Sequence, residues 1–369
     1  HYVETHYDID NDNLDLLSTI ASTSEPELLH GSTEDYLEIR DFMDNNDISI
    51  QSNYEIASQH YDVESLIEYK IAQIFVMNYD WPGNNNKLFK AKSSDGKWQH
   101  IMFDSDFGFE RWTDLVLGFI GSYETYNMLD HAYGGGNTFN NPVWSTAIFT
   151  AFLDNQEFKH QFINTYCDRI NTTYSTDHTS YLIDSLKAVV APYVVDHINR
   201  YGPSPYDSYT PNTLAAYNAA VQRMYDFASY RPDNARNEMV ELFELDGTTN
   251  IVSLFVNDSE AGHIKINTLN VNEQGWMGEY FSDIPISIKA VPEFGYEFSH
   301  WANQPTFTDS VNLLLDQNMT MIAHFSEMQN PYQNMIVINE INYNSNNDFD
   351  SGDWVELYNH SNLDVDISQ

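Results

Sequence analysis

The sequence predicts an α+β chain: a mainly helical first part that carries a small β-hairpin, followed by all-β modules. Three observations predict it. Apolar residues recur at helical spacing on both sides of a short hairpin signal. After Leu245 the period switches to alternation, with turns at roughly ten-residue intervals. The length of 369 residues suits two or three domains at about 150 residues each.

In chain order, the start at His1-Tyr2-Val3-Glu4 reads as a strand. The run DVESLIEYKIAQIFVM places Val63, Leu66, Ile67, Ile71, Ile74 and Phe75 on one apolar stripe of a helix, with Asp62 as its N-cap. Pro82 and Gly83 stop helical continuation in the loop NYDWPGNNN, Asn78 to Asn86. KLFKA (Lys87 to Ala91) and KWQHIMF (Lys97 to Phe103) follow as strands, joined by SSDG, whose Asp95-Gly96 pair is a hairpin turn. The second strand runs into the acidic loop DSDFGF, Asp104 to Phe109. The order is therefore helix, polar loop, hairpin, acidic loop.

YGGGNTFNN (Tyr133 to Asn141) reads as a flexible loop, because no GK[ST] follows it to make a phosphate cradle. From Pro142 to about Tyr230 helical runs are separated by polar turns. Beyond Leu245, the runs IVSLFV, HIKINT, ISIKAV, YEFSHW and MTMIAHF alternate as strands of a small all-β module, with Phe298 and Trp301 set against its sheet. MIVINEINYNS and DWVELYNHS then open another sandwich, with too few residues before Gln369 to close a core. The expected domains are residues 1–245, 246–328 and 333–369.

Composition narrows the partners. Against 55 Asp and Glu stand 16 Lys and Arg, a formal charge of -39; that field repels a phosphate backbone or an anionic lipid surface, so no nucleic-acid partner is expected. The same excess is a solubility or high-salt device, and it supplies hard oxygen ligands for divalent cations. No apolar run reaches about 18 residues, so no transmembrane segment is expected. The single cysteine, Cys167, excludes internal disulfides, and its setting FINTYCDRI makes it a small buried filler. The 13 histidines contain no His-Glu-x-x-His, which disfavours a zinc enzyme. No Gly-x-Ser-x-Gly elbow is present either. His100 and His131 read as ordinary surface or satisfied core residues.

The residues that could carry chemistry are Asp80 and Asn85 in the polar loop with Asp104 and Asp106 in the acidic one. Phosphoryl transfer needs a carboxylate to orient or deprotonate the acceptor hydroxyl and oxygen ligands to hold a divalent ion on the phosphates. Asp80 and Asn85 have the Asp-x-x-x-x-Asn spacing of a protein-kinase catalytic loop, and Asp106-Phe107-Gly108 spells the metal-binding tripeptide. Asn78 and Tyr79 stand where the loop's histidine and arginine would be, so this is no ordinary protein kinase. On spacing alone, a turn-only or calcium-loop reading stays open.

The longer run YKIAQIFVMNYDWPGNNNKLFK, followed by KWQHIMFDSDFGF, resembles the CotH kinase family, the spore-coat-protein-H-like atypical kinases. The family pattern is an Asn-x-Asp-Trp-Pro-x-Asn-Asn loop, then a Trp-containing strand leading to an Asp-x-Asp loop. Asn78, Asp80, Trp81, Pro82, Asn84, Asn85, Trp98, Asp104 and Asp106 fit it, and the resemblance runs over about residues 1–245. It implies a kinase-like C-terminal lobe and an ATP-dependent kinase using Mg²⁺ or Mn²⁺ on a protein substrate. In it Asp80 would be the catalytic carboxylate, and Asn85 and Asp104 metal ligands. Asp106 is kept beside Asp104 as the literal tripeptide match, and Asn78, Trp81, Asn84 and Lys87 would support the loop. The N-terminal lobe that covers the nucleotide is expected to be largely missing, which leaves the cofactor-binding residues unassigned and the fragment open to being inactive.

The all-β module resembles small bacterial surface β-repeats, and INEINYNSNNDFDSGDWVELYNHSNLDVDIS resembles the opening of a lamin-tail domain. Both imply an extracellular or cell-surface protein, attached through a region beyond Gln369. Asp348, Asp350 and Asp353 are spaced for Ca²⁺, but no glycine stands at the sixth place of an EF-type loop, so a solvated acidic turn is the stronger reading. A rival class remains: a non-catalytic surface or adhesion protein whose acidic loops bind Ca²⁺ structurally.

Overall fold

The computed structural model describes residues 2–7, 9–19, 26–109, 124–136, 140–202, 211–272, 275–304, 308–328, 336–343, 352–359, 361, 365 and 367. Strands β1 (Leu14–Thr19), β2 (Glu27–His30), β3 (Asn86–Ala91) and β4 (Gln99–Ile101) form one antiparallel sheet in the order β2-β1-β3-β4. The expected hairpin is β3-β4, with Lys87 opposite Ile101. Its turn is Ser93 to Gly96, closed by Gly96 N donating to Ser93 O at 3.1 Å, so Gly96 closes a four-residue turn instead of sitting at a two-residue tip.

The first residues correct the sequence reading, because Tyr2–Tyr7 is a helix, α1, and not a strand. Six residues are too few for period to separate the two states. What decides is packing: Val3 is buried in a small cluster with Leu14, Phe89 and Ile101, on one face of the sheet. The other face carries Leu17 and Leu88 into the main core. There it meets α2 (Glu34–Asn45), α3 (Gln51–His60) and α4 (Val63–Phe75).

Helix α4 follows its sequence signals closely. Asp62 caps it, accepting from Ser65 N at 3.0 Å, and Leu66, Ile67, Ile71, Ile74 and Phe75 are buried along one stripe. Each such side chain, fully buried, contributes about 1.5–3 kcal/mol. Val63 is only partly buried, packed at the rim of the core.

The later helices are α5 (Met128–Tyr133), α6 (Val143–Asp154), α7 (Gln156–Ile170), α8 (Thr176–Val190), α9 (Val194–Tyr201) and α10 (Leu214–Phe243). Tyr133, expected in a loop, ends α5, and Gly134 C-caps it at φ 109, a left-handed conformation that glycine adopts without steric cost. Helix α10 runs past Tyr230 although Pro232 lies inside it. Proline has no N–H for the carbonyl four residues back; that carbonyl, of Ala228, accepts instead from Thr176 Oγ1 at 2.9 Å. Cys167 is buried in α7, and burial pushes its thiol up to about 12, as a packing role requires. No described helix is long and apolar enough to cross a membrane.

Beyond α10 come β5 (Thr249–Val256), β6 (Gly262–Ile266), β7 (Leu269–Val271), β8 (Trp276–Phe281), β9 (Ile286–Pro292), β10 (Tyr296–Trp301), β11 (Ser310–Leu313) and β12 (Met319–Glu327). They make two four-stranded sheets, β10-β12-β5-β8 and β11-β9-β6-β7. Alternate residues, among them Val252, Leu254, Ile264, Ile266, Ile286, Ile288, Met321 and Ala323, are buried, the period-two pattern of a half-buried strand. The module docks on α7 through buried Asp168. Its carboxylate accepts from Thr268 N at 2.9 Å, Thr268 Oγ1 at 2.7 Å, Tyr280 OH at 2.7 Å and Asn267 Nδ2 at 3.2 Å.

The last strands, β13 (Ile336–Asn342) and β14 (Trp354–Asn359), pair with each other and expose most of both faces. They close no core. Asp348 and Asp350 lie outside the described residues, and Asp353 lies just before β14.

Candidate active site

The polar and acidic loops meet at one end of α4, and length explains why. The helix has 13 residues, about 20 Å at 1.5 Å per residue. Beside it, the segment from Trp98 to Asp104 covers about the same distance at 3.3 Å per residue. The two start together, since Asp62 N donates to Trp98 O at 3.1 Å and Trp98 N to His60 O at 2.7 Å. They also finish together, with Asn78 Nδ2 donating to Asp104 O at 3.4 Å just past the helix end.

The convergence is made by side chains. Asp80 accepts from Asn84 Nδ2 at 2.9 Å on one carboxylate oxygen and from Asn85 Nδ2 at 3.3 Å on the other. Asn85 Nδ2 also donates to the carbonyl of Asp104 at 3.1 Å, and Asn78 Nδ2 reaches the same carbonyl at 3.4 Å. Thus Asn78 and Asn85 tie the loops together. Asn85 and Asp104 both have positive φ, 55° and 52°, a region that Asn and Asp enter more readily than most residues. At Gly108 a Cβ would lie 2.8 Å from Val76 O, so the tripeptide needs its glycine for close backbone approach as well.

Electrostatics mark the meeting point of the loops as short of positive charge. Burial raises the Asp80 carboxyl, its two amide donors oppose that, and the charge of Asp106 raises it further. Asp104 is raised by burial, by hydrogen bonding and repulsion with Asp106, and by Asp80, with Lys87 opposing. Lys87 Nζ lies over the Phe103 ring at 4.0 Å. The donor set of carboxylates and the Asn85 amide oxygen is hard and oxygen-rich, and the mutual repulsion is what a divalent cation offsets. Among the described residues, no three His, Cys, Asp or Glu side chains by themselves form a metal site; phosphate oxygens or water would have to complete the shell.

The supporting contacts run inward. Trp81 is fully buried and donates from Nε1 to Tyr69 OH at 3.0 Å, while its carbonyl lies 2.8 Å from His131 Nε2. His131 is the satisfied core residue of the two alternatives: buried and hydrogen-bonded through Nδ1 to Tyr126 OH at 2.7 Å, it also holds the loop, and burial lowers it to about 4. His100 is likewise set inside, stacked on Tyr69 at 4.4 Å. Arg231, which the sequence reading passed over, donates from Nε to Phe75 O and from Nη2 to Ile74 O, each at 2.9 Å, and pairs with Glu238. It caps the end of α4 just before the loop. Its signal was an Arg and a Glu seven apart on the apolar stripe of Ala228, Ala235 and Met239.

Helix, polar loop, hairpin and acidic loop, tied by Asn78 and Asn85, belong to an α+β protein. The family model described as CotH kinase protein matches residues 7–235. The chain belongs to the CotH kinase family. No curated protein matches it. The match ends before the β-module, so the surface-repeat and lamin-tail resemblances gain nothing from it.

Proposed function

We propose that the chain is the kinase-like part of an atypical protein kinase that transfers the γ-phosphate of ATP to a protein hydroxyl. The observation that carries this reading is the hydrogen-bonded link of Asp80, Asn85 and the Asp104 carbonyl in a chain of this family. Asp80 accepts the hydroxyl proton as the new O–P bond forms and ADP leaves; its raised carboxyl makes it a stronger base than an ordinary aspartate. Asn85 and Asp104, with Asp106 beside them, would hold Mg²⁺ or Mn²⁺, which when bound neutralises charge on the phosphates. Trp81, Asn78, Asn84 and Lys87 keep the loop and its charge in place. Secretion or surface attachment belongs to the same proposal and rests on the resemblance of the β-modules.

The test is phosphate transfer from γ-labelled ATP, with Mg²⁺ or Mn²⁺, to the protein itself and to a generic acceptor protein. Asp80→Ala is expected to lower incorporation by about 10²–10⁴-fold with an unchanged circular dichroism spectrum. Undiminished incorporation overturns the assignment. Calorimetry separates the rival: Ca²⁺ binding with no Mg²⁺-dependent nucleotide response supports the non-catalytic surface protein.

A further inference from the structure

Under the polar loop, between the sheet and α4, is a cavity of about 20 Å³ lined by Thr19, Tyr61, Lys70, Asn86, His100 and Ser145, among others. Ser145 Oγ donates to Pro142 O and Asn86 Oδ1 accepts from Tyr69 OH, but other polar atoms of the lining are left without partners. Thr19 Oγ1, Tyr61 OH and His100 Nδ1 are all buried and make no hydrogen bond. Lys70 is 3% exposed; among the described residues it has no ion pair and no hydrogen bond, only the rings of Trp81 at 4.6 Å and Phe149 at 5.3 Å. Orphaned buried groups of this kind are rare in folded proteins, and four around one small space call for an occupant.

The donor chemistry selects the occupant. Lys70 can only donate, the two hydroxyls can donate, and His100 Nδ1 donates in one tautomer. A water molecule accepts about two hydrogen bonds and leaves the ammonium charge unbalanced. An anion accepts from all four and balances it. The neighbouring charges do not supply that balance. His100 and Lys70 disfavour each other's charge. Asp35, which reaches Tyr61 from α2 together with Arg40, is already engaged by Lys90 at 2.6 Å and Trp98 at 2.9 Å. Arg40 Nη1 is itself buried and unpartnered. Volume then sets the size: a space of about 20 Å³ holds about one water-sized body, which excludes phosphate, sulfate and any nucleotide.

We propose that this cavity binds one small monovalent anion, a halide ion, held by Lys70 Nζ with the hydroxyls of Thr19 and Tyr61 and with His100 Nδ1. The net charge of -39 opposes any anion at long range, but salt screens that field beyond about 10 Å at 0.1 M, whereas the cavity donors act at contact. The ion sits directly beneath the polar loop: Lys70 faces Trp81, and Tyr69, stacked on His100, touches Asn85 O and Asn86 Oδ1 at 3.4 and 3.3 Å. This inference is independent of the catalytic reading.

Crystals soaked in sodium bromide are expected to show one anomalous peak within contact of Lys70 Nζ, Tyr61 OH and Thr19 Oγ1. In solution, bromide or chloride in place of gluconate at constant ionic strength is expected to raise the melting temperature saturably. Lys70→Met should abolish both the peak and the halide-specific gain. The double variant Thr19→Val with Tyr61→Phe keeps the charge and the fold and should weaken halide affinity by about tenfold or more. A cavity holding only water in bromide, a peak at crystal concentration without saturation in solution, or identical halide responses in the wild type and Lys70→Met each overturn the proposal.

Discussion

Two buried basic side chains serve α4, Lys70 within it and Arg231 at its end, and their settings differ. Arg231, fully buried at the helix end, has Glu238, two backbone carbonyls and the Tyr166 hydroxyl. Burial works against its charge, yet Glu238 and Tyr166 outweigh that and hold the guanidinium above its ordinary value. Lys70, nearly as buried and on the same helix as the carbonyls Arg231 caps, has only aromatic faces, and burial lowers it to about 7. The contrast shows that depth does not decide whether an internal charge persists; the polar partners supplied by the fold do.

The largest test of this contrast is Arg231→Ala, which leaves Glu238 charged without its counter-ion and two carbonyls uncapped. It is expected to cost about 3–5 kcal/mol, read from the midpoint of urea unfolding. A loss under about 1 kcal/mol would mean that the pair adds nothing to the end of α4.

Next comes Lys70→Met at low halide. The folded ammonium titrates at about 7 against an ordinary 10.5, so between those values the unfolded chain binds more protons and stability rises with pH. The penalty is fully present below pH 7 and is relieved toward pH 10.5. Its size is on the order of 5 kcal/mol at 1.36 kcal/mol per unit. The methionine variant is expected to be the more stable protein at pH 6, by an amount that shrinks at pH 9 and in bromide; a pH-independent difference would sink the idea.

His131 gives the same linkage in the acid range. Neutral down to about pH 4 in the folded state against 6.5 when unfolded, it makes stability fall as pH drops from 6.5 toward 4. His131→Gln is expected to flatten that limb, checked by thermal unfolding at pH 4.5 and 7.

The smallest effect sharpens the contrast from the acidic side. Asp106→Asn removes a negative charge that raises both Asp80 and Asp104, so the acid limb of any Asp80-dependent activity should move to lower pH. An unmoved limb would show that burial and the two amide donors set the Asp80 carboxyl without Asp106.

The loops that carry the proposed site were legible in the sequence. Asp80, Asn85, Asp104 and Asp106 stood out because phosphoryl transfer needs oxygen ligands in a recognisable order, and Asp62 and the stripe of α4 because helix ends and faces follow local rules. The roles of His100, His131, Lys70 and Arg231 were not legible. Nothing local distinguishes a histidine at the surface from one that holds a loop carbonyl, and Arg231 meets Phe75 across 156 positions of chain. Tyr2–Tyr7 failed for a related reason: its helix is chosen by contact between Val3 and strands that lie elsewhere in sequence.

By itself the sequence determined the alternation of periods, the caps, the two acid-bearing loops and the sign of the overall charge, all of which depend on neighbours within a turn or two. Only the tertiary structure decided that Arg231 closes the end of α4 and that Lys70 faces a cavity without a counter-charge. These are matters of which distant groups exclude water from one another, and solvation, unlike helix period, is a property of the packed whole.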